Sequence, residues 1–416
     1  MSSFLNRKKI ILLIFFLVGF SAFPDVFAQN KAVEPTEASL SSPAEVLINV
    51  IKKNRLYRNS FTENTIQEAV LKAIVASLDD PYAAVVDTHR QRETASSTRT
   101  DTTELGLLIG EDAYSRPVIE SILPGSPADE AGIKAGEKVL RIGTEDVSGC
   151  SSWEVMALLS GEQTAHEKQI KMVVESSRGQ PRHITLRCSH YEIKTVELRI
   201  GGLRQLQRRP HRTVWKDDPK GEIAWIKVHT FLQSRTHDEW DRMVEKINNS
   251  HSVRRIVFDL RDNGGGDNSC IRVLGDFFLG GETLVTFECL AGNKPWSQHI
   301  RNTSTPQSRL ICYPAVVLVN GRTASLAEIA AAALRDNRSV PLVGEKTFGK
   351  GTTQTWIKAG NRFAVHLTMG RWLSPHGYSI EGKGLVPDVT VSDNPRTVYI
   401  DEQLLSAVEL LTVKAD

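Results

Sequence analysis

Two short apolar runs, each ending in a polar turn, constrain this chain more than any other feature. Ile256 to Leu260 runs into the glycine-rich turn Arg-Asp-Asn-Gly-Gly-Gly-Asp, and Val316 to Val319 runs into Asn-Gly-Arg-Thr-Ala-Ser. The second turn leads directly into an Ala-rich helical pattern, Leu326 to Leu334. An apolar run without polar alternation fits a strand buried on both faces, the condition of a parallel sheet covered by helices. Further strand candidates are Ile223 to Val228 and Phe363 to Met369, with a helical pattern from His237 to Ile247. Strands alternating with helices in this way imply crossover units. We read residues 196–395 as one α/β domain, in a chain of mixed α+β class, followed by a C-terminal helix over 396–416.

Ahead of it the pattern shortens. Leu105 to Ile109, Val118 to Ile122, Val139 to Ile142, Ile170 to Val174 and Ile184 to Cys188 read as strands. Short helices are expected from Ser126 and over Ser152 to Leu159. This is a small mixed domain, residues 101–195. Residues 29–100 read as a helical segment and linker. One helix starts at Ser42-Pro43-Ala44-Glu45, with an N-cap and Pro at the first helical position. A second opens at Thr65, with Val70, Leu71, Ile74 and Leu78 along one face. At the start, Arg7, Lys8 and Lys9 precede an apolar run from Ile10 to Phe23 and a Val-Phe-Ala stretch ending at Ala28. That pattern is an export signal over 1–28, cut after Ala28. An uncleaved membrane anchor is the alternative. The expected location is a bacterial periplasm.

Composition narrows the partners. A formal net charge of +2 over 416 residues argues against a nucleic-acid surface. Five cysteines, Cys150, Cys188, Cys270, Cys289 and Cys312, match no zinc spacing. They are expected as buried thiols, with one candidate bridge between Cys150 and Cys188.

Three segments carry candidate chemistry, and each has a plainer reading. Ser325 stands where strand gives way to helix, and Ser325-Leu326-Ala327-Glu328 is also a capping box. Backbone N–H groups at such a junction point outward and can steady an oxyanion. A nucleophilic Ser needs a base. No His has a local signature for the role. Lys350, in Gly-Glu-Lys-Thr-Phe-Gly-Lys-Gly, is flanked by two glycines that would let the backbone pack closely. It could serve as base once neutral. The same stretch nearly matches a phosphate loop, but Gly351 stands where Ser or Thr should hold magnesium. The glycine run after Leu260 could aim N–H groups at an oxyanion, or be a tight turn.

Taken together and in order, these segments resemble the C-terminal processing peptidases, or tail-specific proteases. The resemblance rests on Leu-Asp-Asp-Pro-Tyr at Leu78–Tyr82 and on Pro124 to Val147, which is similar to the core of a PDZ domain. It rests also on Asp259 to Gly266, Val319 to Asn337, Gly344 to Gln354 and Arg371 to Val389. It implies a ClpP/crotonase-like protease core with a PDZ domain and an N-terminal helical segment. It implies a serine endopeptidase that cuts proteins near their C-terminus, without metal or organic cofactor. Ser325 aligns with the nucleophile and Lys350, 25 residues on, with the base. Gln354, four further, aligns with the supporting amide. The oxyanion donors map to Gly265 or Gly266 and to Leu326. The PDZ loop, Glu104, Leu105, Gly106 and Leu107, would take the terminal carboxylate of a substrate tail. Protein tails are the expected partners, with an accessory adaptor and homo-oligomerisation left open. Thr323, Leu326 and Ser160 depart from the family's usual residues. The alternative function is a non-catalytic PDZ scaffold on a degenerate protease fold.

Overall fold

The computed structural model describes residues 62–87, 105–111, 116–150, 152–162, 169–176, 179–187, 194–205, 213–291, 294–301, 309–360, 362–392 and 401–413. The expected export signal, the helix at Ser42, Glu104 and Cys188 lie outside these residues. Among the described residues no helix is long and apolar enough to cross a membrane.

The chain forms two compact units. The first comprises residues 1–96, 290–294 and 354–369. Its described part begins with helix α1 (Glu63–Ala76), capped by Thr62, whose hydroxyl accepts the Thr65 N–H at 3.2 Å. The cap lies three residues ahead of the expected one. Val70, Ile74 and Leu78 are exposed, whereas Leu71 and Val75 pack on Val85, Phe363 and Val365. The buried face is therefore turned from the expected one. Strand β1 (Ala84–Asp87) pairs antiparallel with Phe363 to His366.

The second unit holds both the small domain and the larger one. In the small domain, β2 (Leu107–Glu111), β3 (Pro117–Ile122), β4 (Lys138–Ile142), β5 (Glu145–Asp146), β6 (Gln169–Glu175) and β7 (Pro181–Arg187) make an antiparallel sheet. The order is β2-β3-β4-β6-β7, with β5 beside β4. Ser126 caps the single turn α2 (Pro127–Glu130) through the Asp129 N–H. Helix α3 (Ser152–Glu162) buries Val155 and Leu159 against Leu105, Leu107 and Ile109. Every strand expected here is present, with ends that coincide or shift by at most three residues.

The larger domain is built on seven strands in the order β18-β15-β14-β11-β10-β8-β9. In chain order they are β8 (Val196–Gln205), β9 (Thr213–Asp217), β10 (Ile223–Val228), β11 (Arg255–Asp259), β14 (Ala315–Val319), β15 (Leu342–Gly344) and β18 (Val389–Thr390). The five from β18 to β10 are parallel. The edge pair β8 and β9 is antiparallel. Side chains that alternate between two covered faces explain the apolar runs, which only Asp259 interrupts. Ile256, Phe258, Val317 and Val319 join a core with helices α4 (Gln233–Asn248), α5 (Ser269–Gly275) and α6 (Leu326–Arg338). Val257, Val316 and Leu318 face the other way, onto Leu404, Ala407 and Leu411 of α7 (Glu402–Val413). Both faces of the sheet are thus covered, as expected.

Strands β12 (Thr283–Ala291), β13 (Lys294–Arg301), β16 (Thr352–Ala359) and β17 (Phe363–Leu373) are the remaining ones among the described residues. Within the second unit, Thr286 to Cys289 of β12 pair antiparallel with Gly370 to Leu373. The cysteine expectation needs one correction. Of the four described cysteines only Cys270 is buried; Cys150 and Cys289 are half-buried, and Cys312 is exposed, because it lies in the turn before β14 rather than in the core.

Candidate active site

The parallel strands β11 and β14 are neighbours, so their C-terminal ends bring two turns together. In open α/β sheets this is where reacting groups collect. The turns are joined by bonds that fix both. The Ala324 N–H donates to the Asn263 carbonyl at 3.0 Å, and the Thr323 hydroxyl donates to the Leu260 carbonyl at 2.9 Å. Asn320 Nδ2 donates to Asp262 Oδ1, and the Asp262 N–H returns to Asn320 Oδ1. Thr323, in place of the family's usual Ser, therefore keeps a structural hydroxyl.

Ser325 has φ 55° and ψ −122°. An ordinary N-cap residue lies in the β region. A non-glycine residue with this φ is strained by about 1–3 kcal/mol, and persists only where its surroundings over-determine it. Here they do. The Ser325 N–H donates to Glu328 Oε2 at 2.9 Å, and the preceding residue is tied to the glycine turn. The capping-box pattern is real, but backbone strain sets Ser325 apart from a plain cap.

Glu328 does more than cap. Its buried carboxylate also accepts the Thr347 hydroxyl at 2.5 Å and the N–H groups of Gly349 at 2.8 Å and Lys350 at 3.0 Å. One oxygen, Oε2, takes both the Ser325 and the Lys350 N–H, which locks the two segments together. Burial pushes the Glu328 carboxyl up to about 7, against the bonds from Thr347, Gly349, Lys350 and Ser325 that pull it down. The sequence signal was there, since Glu328 is the third residue of the capping box. Its second set of partners, 19 to 22 residues away, has no local signature.

Lys350 is half-buried between glycines that allow close approach. A side chain at Gly349, where φ is 94°, would meet the Gly384 nitrogen at 2.7 Å. One at Gly351 would meet the Glu381 nitrogen at the same distance. The Lys350 carbonyl accepts the Trp372 indole N–H at 3.0 Å. The near-match to a phosphate loop fails structurally, because strand β16 follows it instead of a helix. There is no helix N-terminus to hold a phosphate.

The glycine turn lies against Ser325. A side chain at Gly265, where φ is 105°, would stand 3.0 Å from Ser325 Cβ and 3.1 Å from the Leu326 nitrogen. Gly266, with φ 132°, bridges to Phe231, and a side chain there would meet the Phe231 carbonyl at 2.1 Å. The two glycines differ in one respect. The Gly265 N–H is already given to Asn263 Oδ1 at 2.8 Å. Of the two candidate oxyanion donors this leaves Gly266. Leu326 opens α6, and its carbonyl accepts the Cys270 thiol at 3.2 Å.

Asp259, at the end of β11, is fully buried and anchors the frame. Its carboxylate accepts three bonds from Arg261, which in turn reaches Asp401 at 2.8 and 2.9 Å ahead of α7. Burial alone would raise the Asp259 carboxyl, but the Arg261 guanidinium beside it wins and holds it low. Gln354 belongs to the first unit. Its amide donates to the Thr368 hydroxyl at 3.3 Å, and Thr368 bonds Asp80 of the Leu-Asp-Asp-Pro segment through N–H and hydroxyl, both at 3.0 Å. In the small domain, the Leu105 carbonyl accepts the Ala128 N–H and the Gly106 carbonyl accepts that of Leu123. Gly106 has φ 70°, and Leu107 begins β2.

Comparison with known proteins agrees with this layout. The model for "Peptidase family S41" matches residues 222–391, and that for "PDZ domain" matches residues 96–175. The carboxy-terminal processing protease CtpA of Bacillus subtilis is 28% identical over 83% of this chain and 68% of its own length. The chloroplastic carboxyl-terminal-processing peptidase 1 of Arabidopsis thaliana is 29% identical over 77% of this chain, which spans 61% of that relative. Among solved structures, the photosystem II D1 C-terminal processing protease superposes with a TM-score of 0.63 at 25% identity, covering 88% of each chain. From the small domain to the sheet with its two joined turns, the chain joins a region that matches a PDZ domain to one that matches peptidase family S41, and over most of its length it is similar to C-terminal processing serine proteases.

Proposed function

We propose that this chain is an endopeptidase that cuts proteins near their C-terminus, with Ser325 as nucleophile and Lys350 as its base. The supporting observation is the strained Ser325 backbone, held by the same Glu328 oxygen that holds Lys350. In the reading, neutral Lys350 takes the Ser325 hydroxyl proton as the oxygen attacks the scissile carbonyl. The N–H groups of Gly266 and Leu326 receive the developing oxyanion. Collapse breaks the peptide C–N bond, and Lys350 returns the proton to the leaving amine. A water then gives a proton to Lys350 as its oxygen bonds the acyl carbon, the ester bond to Ser325 Oγ breaks, and Lys350 returns the proton to that oxygen, which restores the hydroxyl and the neutral amine. Family resemblance gives Gln354 a supporting part.

The small domain would select tails. The N–H groups of Glu104, Leu105, Gly106 and Leu107 would bind a terminal carboxylate, and the tail would add as a strand alongside β2. Export through residues 1–28 would put the enzyme where it meets periplasmic proteins. The test is cleavage of an unfolded tail-bearing substrate by the whole chain and by Ser325→Ala and Lys350→Ala. Each variant should lose cleavage by about 10³-fold or more, as expected when one member of a nucleophile–base pair is removed. Cleavage by either at the wild-type rate would refute the pair, and binding of tails without cleavage by any form would favour a scaffold.

A further inference from the structure

Three glycines in a row, Gly264 to Gly266, would leave the chain beside Ser325 with wide conformational freedom. One side chain removes it. Asn263 is fully buried, and its polar atoms all have partners. Its Nδ2 donates to the Val228 carbonyl at 2.9 Å, and its Oδ1 accepts the Gly265 N–H at 2.8 Å. Its own N–H donates to the Leu260 carbonyl at 3.3 Å, and its carbonyl accepts the Ala324 N–H at 3.0 Å. The amide cannot be turned over, since donor would then face donor and acceptor face acceptor. Asn263 therefore ties the end of β10, the glycine turn and the residue before Ser325 to one another.

The far side of the turn is held by backbone. The Phe231 N–H donates to the Gly265 carbonyl at 2.9 Å, and the Phe231 carbonyl accepts the Asp267 N–H at 2.9 Å. A planar trans peptide points its C=O and the following N–H in opposite directions. The Gly265 carbonyl faces Phe231, which follows β10, so the Gly266 N–H faces away from it. Strand order decides what lies on that side. β11 stands between β10 and β14, and Ser325 follows β14. The Gly266 N–H is thus turned to the Ser325 side from an exposed residue, whereas Gly265 is buried and its N–H is held by Asn263.

We infer that Asn263 is a positioning residue for the oxyanion. By holding the Gly265 N–H it fixes the peptide between Gly265 and Gly266, so that the Gly266 N–H is the one presented to the reacting carbonyl. The inference rests on Ser325 being the nucleophile, as proposed above. Its consequence falls on kcat and spares KM, because the oxyanion is absent from the bound substrate and forms with the transition state.

Two measurements on the whole chain test it. The first uses the wild-type fold, with isotope-labelled glycine and the tripeptide aldehyde acetyl-Leu-Leu-norleucinal. The Ser325 oxygen adds to the aldehyde carbon, the hydroxyl proton is released to the base, and the aldehyde oxygen takes the oxyanion's place. By nuclear magnetic resonance the Gly266 amide signal should move more than that of Gly265. An equal or larger movement at Gly265 overturns the proposal. The second is steady-state cleavage of β-casein. Asn263→Ala removes the acceptor, and Asn263→Ser restores a weaker one, a hydroxyl two residues before the same N–H. The Ala variant should lose on the order of 10²-fold in kcat with KM little changed, the effect of a misplaced oxyanion donor. The Ser variant should recover roughly tenfold of that loss. Both variants lack the bond to Val228, so a merely structural role would leave their kcat alike. Equal kcat in the two, a change confined to KM, or wild-type kcat in the Ala variant overturns the proposal. Turnover that survives in Ser325→Ala, or no aldehyde adduct on the wild type, would sink the nucleophile reading and this inference with it. An inactive Ser325→Ala beside a fully active Asn263→Ala would sink the inference alone.

Discussion

At the residue scale, the site depends on single groups that a neighbouring residue type could not replace. Glu328 accepts from Ser325, Thr347, Gly349 and Lys350. Glu328→Gln would turn one acceptor into a donor facing N–H groups. It should cost about 1–3 kcal/mol of stability, the penalty for buried unsatisfied groups, measured by urea unfolding. It should also change the pH profile. The folded Glu328 carboxyl sits at about 7, above its usual value. Between those two values the folded chain holds a proton that the unfolded chain has released. Glu328's contribution to stability is therefore fully present below the lower value and is lost as pH rises through about 7. The Gln variant should lose this part of the slope, and an unchanged slope would assign it to another group. Gly265→Ala would add a strained φ and a methyl 3.0 Å from Ser325 Cβ. We expect about 1 kcal/mol or more of destabilisation, and loss of cleavage well beyond that, read as kcat/KM against thermal midpoint. Ser325, Lys350 and the glycine run could be singled out as candidates because each stands at a strand end or beside a glycine-lined turn that the sequence itself marks. Glu328's bridging role was not legible, because it depends on partners 19 to 22 residues along the chain.

At the scale of elements, the parallel strands and their helices were legible because burial on both faces erases alternation. Ile256 to Leu260 and Val316 to Val319 show this directly. The buried face of α1 was not legible. Val70 and Ile74 share the helical spacing of Leu71 and Val75, and only the position of Val85 and Phe363 decides which pair is covered. The end of β11 depends on a buried ion pair rather than on apolar packing. Asp259→Asn would leave Arg261 with an uncompensated share of its charge. Removing one partner of such a pair costs about 3–5 kcal/mol, and we expect a loss of that order by chemical denaturation. Because Asp259's carboxyl is held low, its contribution is present above the usual carboxylate range and is lost as pH falls through the folded value. The Asn variant should accordingly be less sensitive to acid than wild type.

At the scale of the whole molecule, the proposed function would couple a tail-reading domain to a cutting one, and each part makes a separable prediction. With Ser325→Ala to prevent cleavage, a peptide with a free terminal carboxylate should bind by calorimetry. Its amidated form should bind at least about tenfold more weakly, since a charge-assisted bond is lost. Equal binding would argue that the small domain reads something other than a chain end. The central claim is that Ser325 carries the acyl group. Intact-mass analysis of the chain, quenched in acid while it turns over a peptide ester, tests that directly. The account predicts an acyl adduct that maps to Ser325 in wild type and is absent from Ser325→Ala. An adduct on another residue, or turnover that persists in Ser325→Ala, would contradict it.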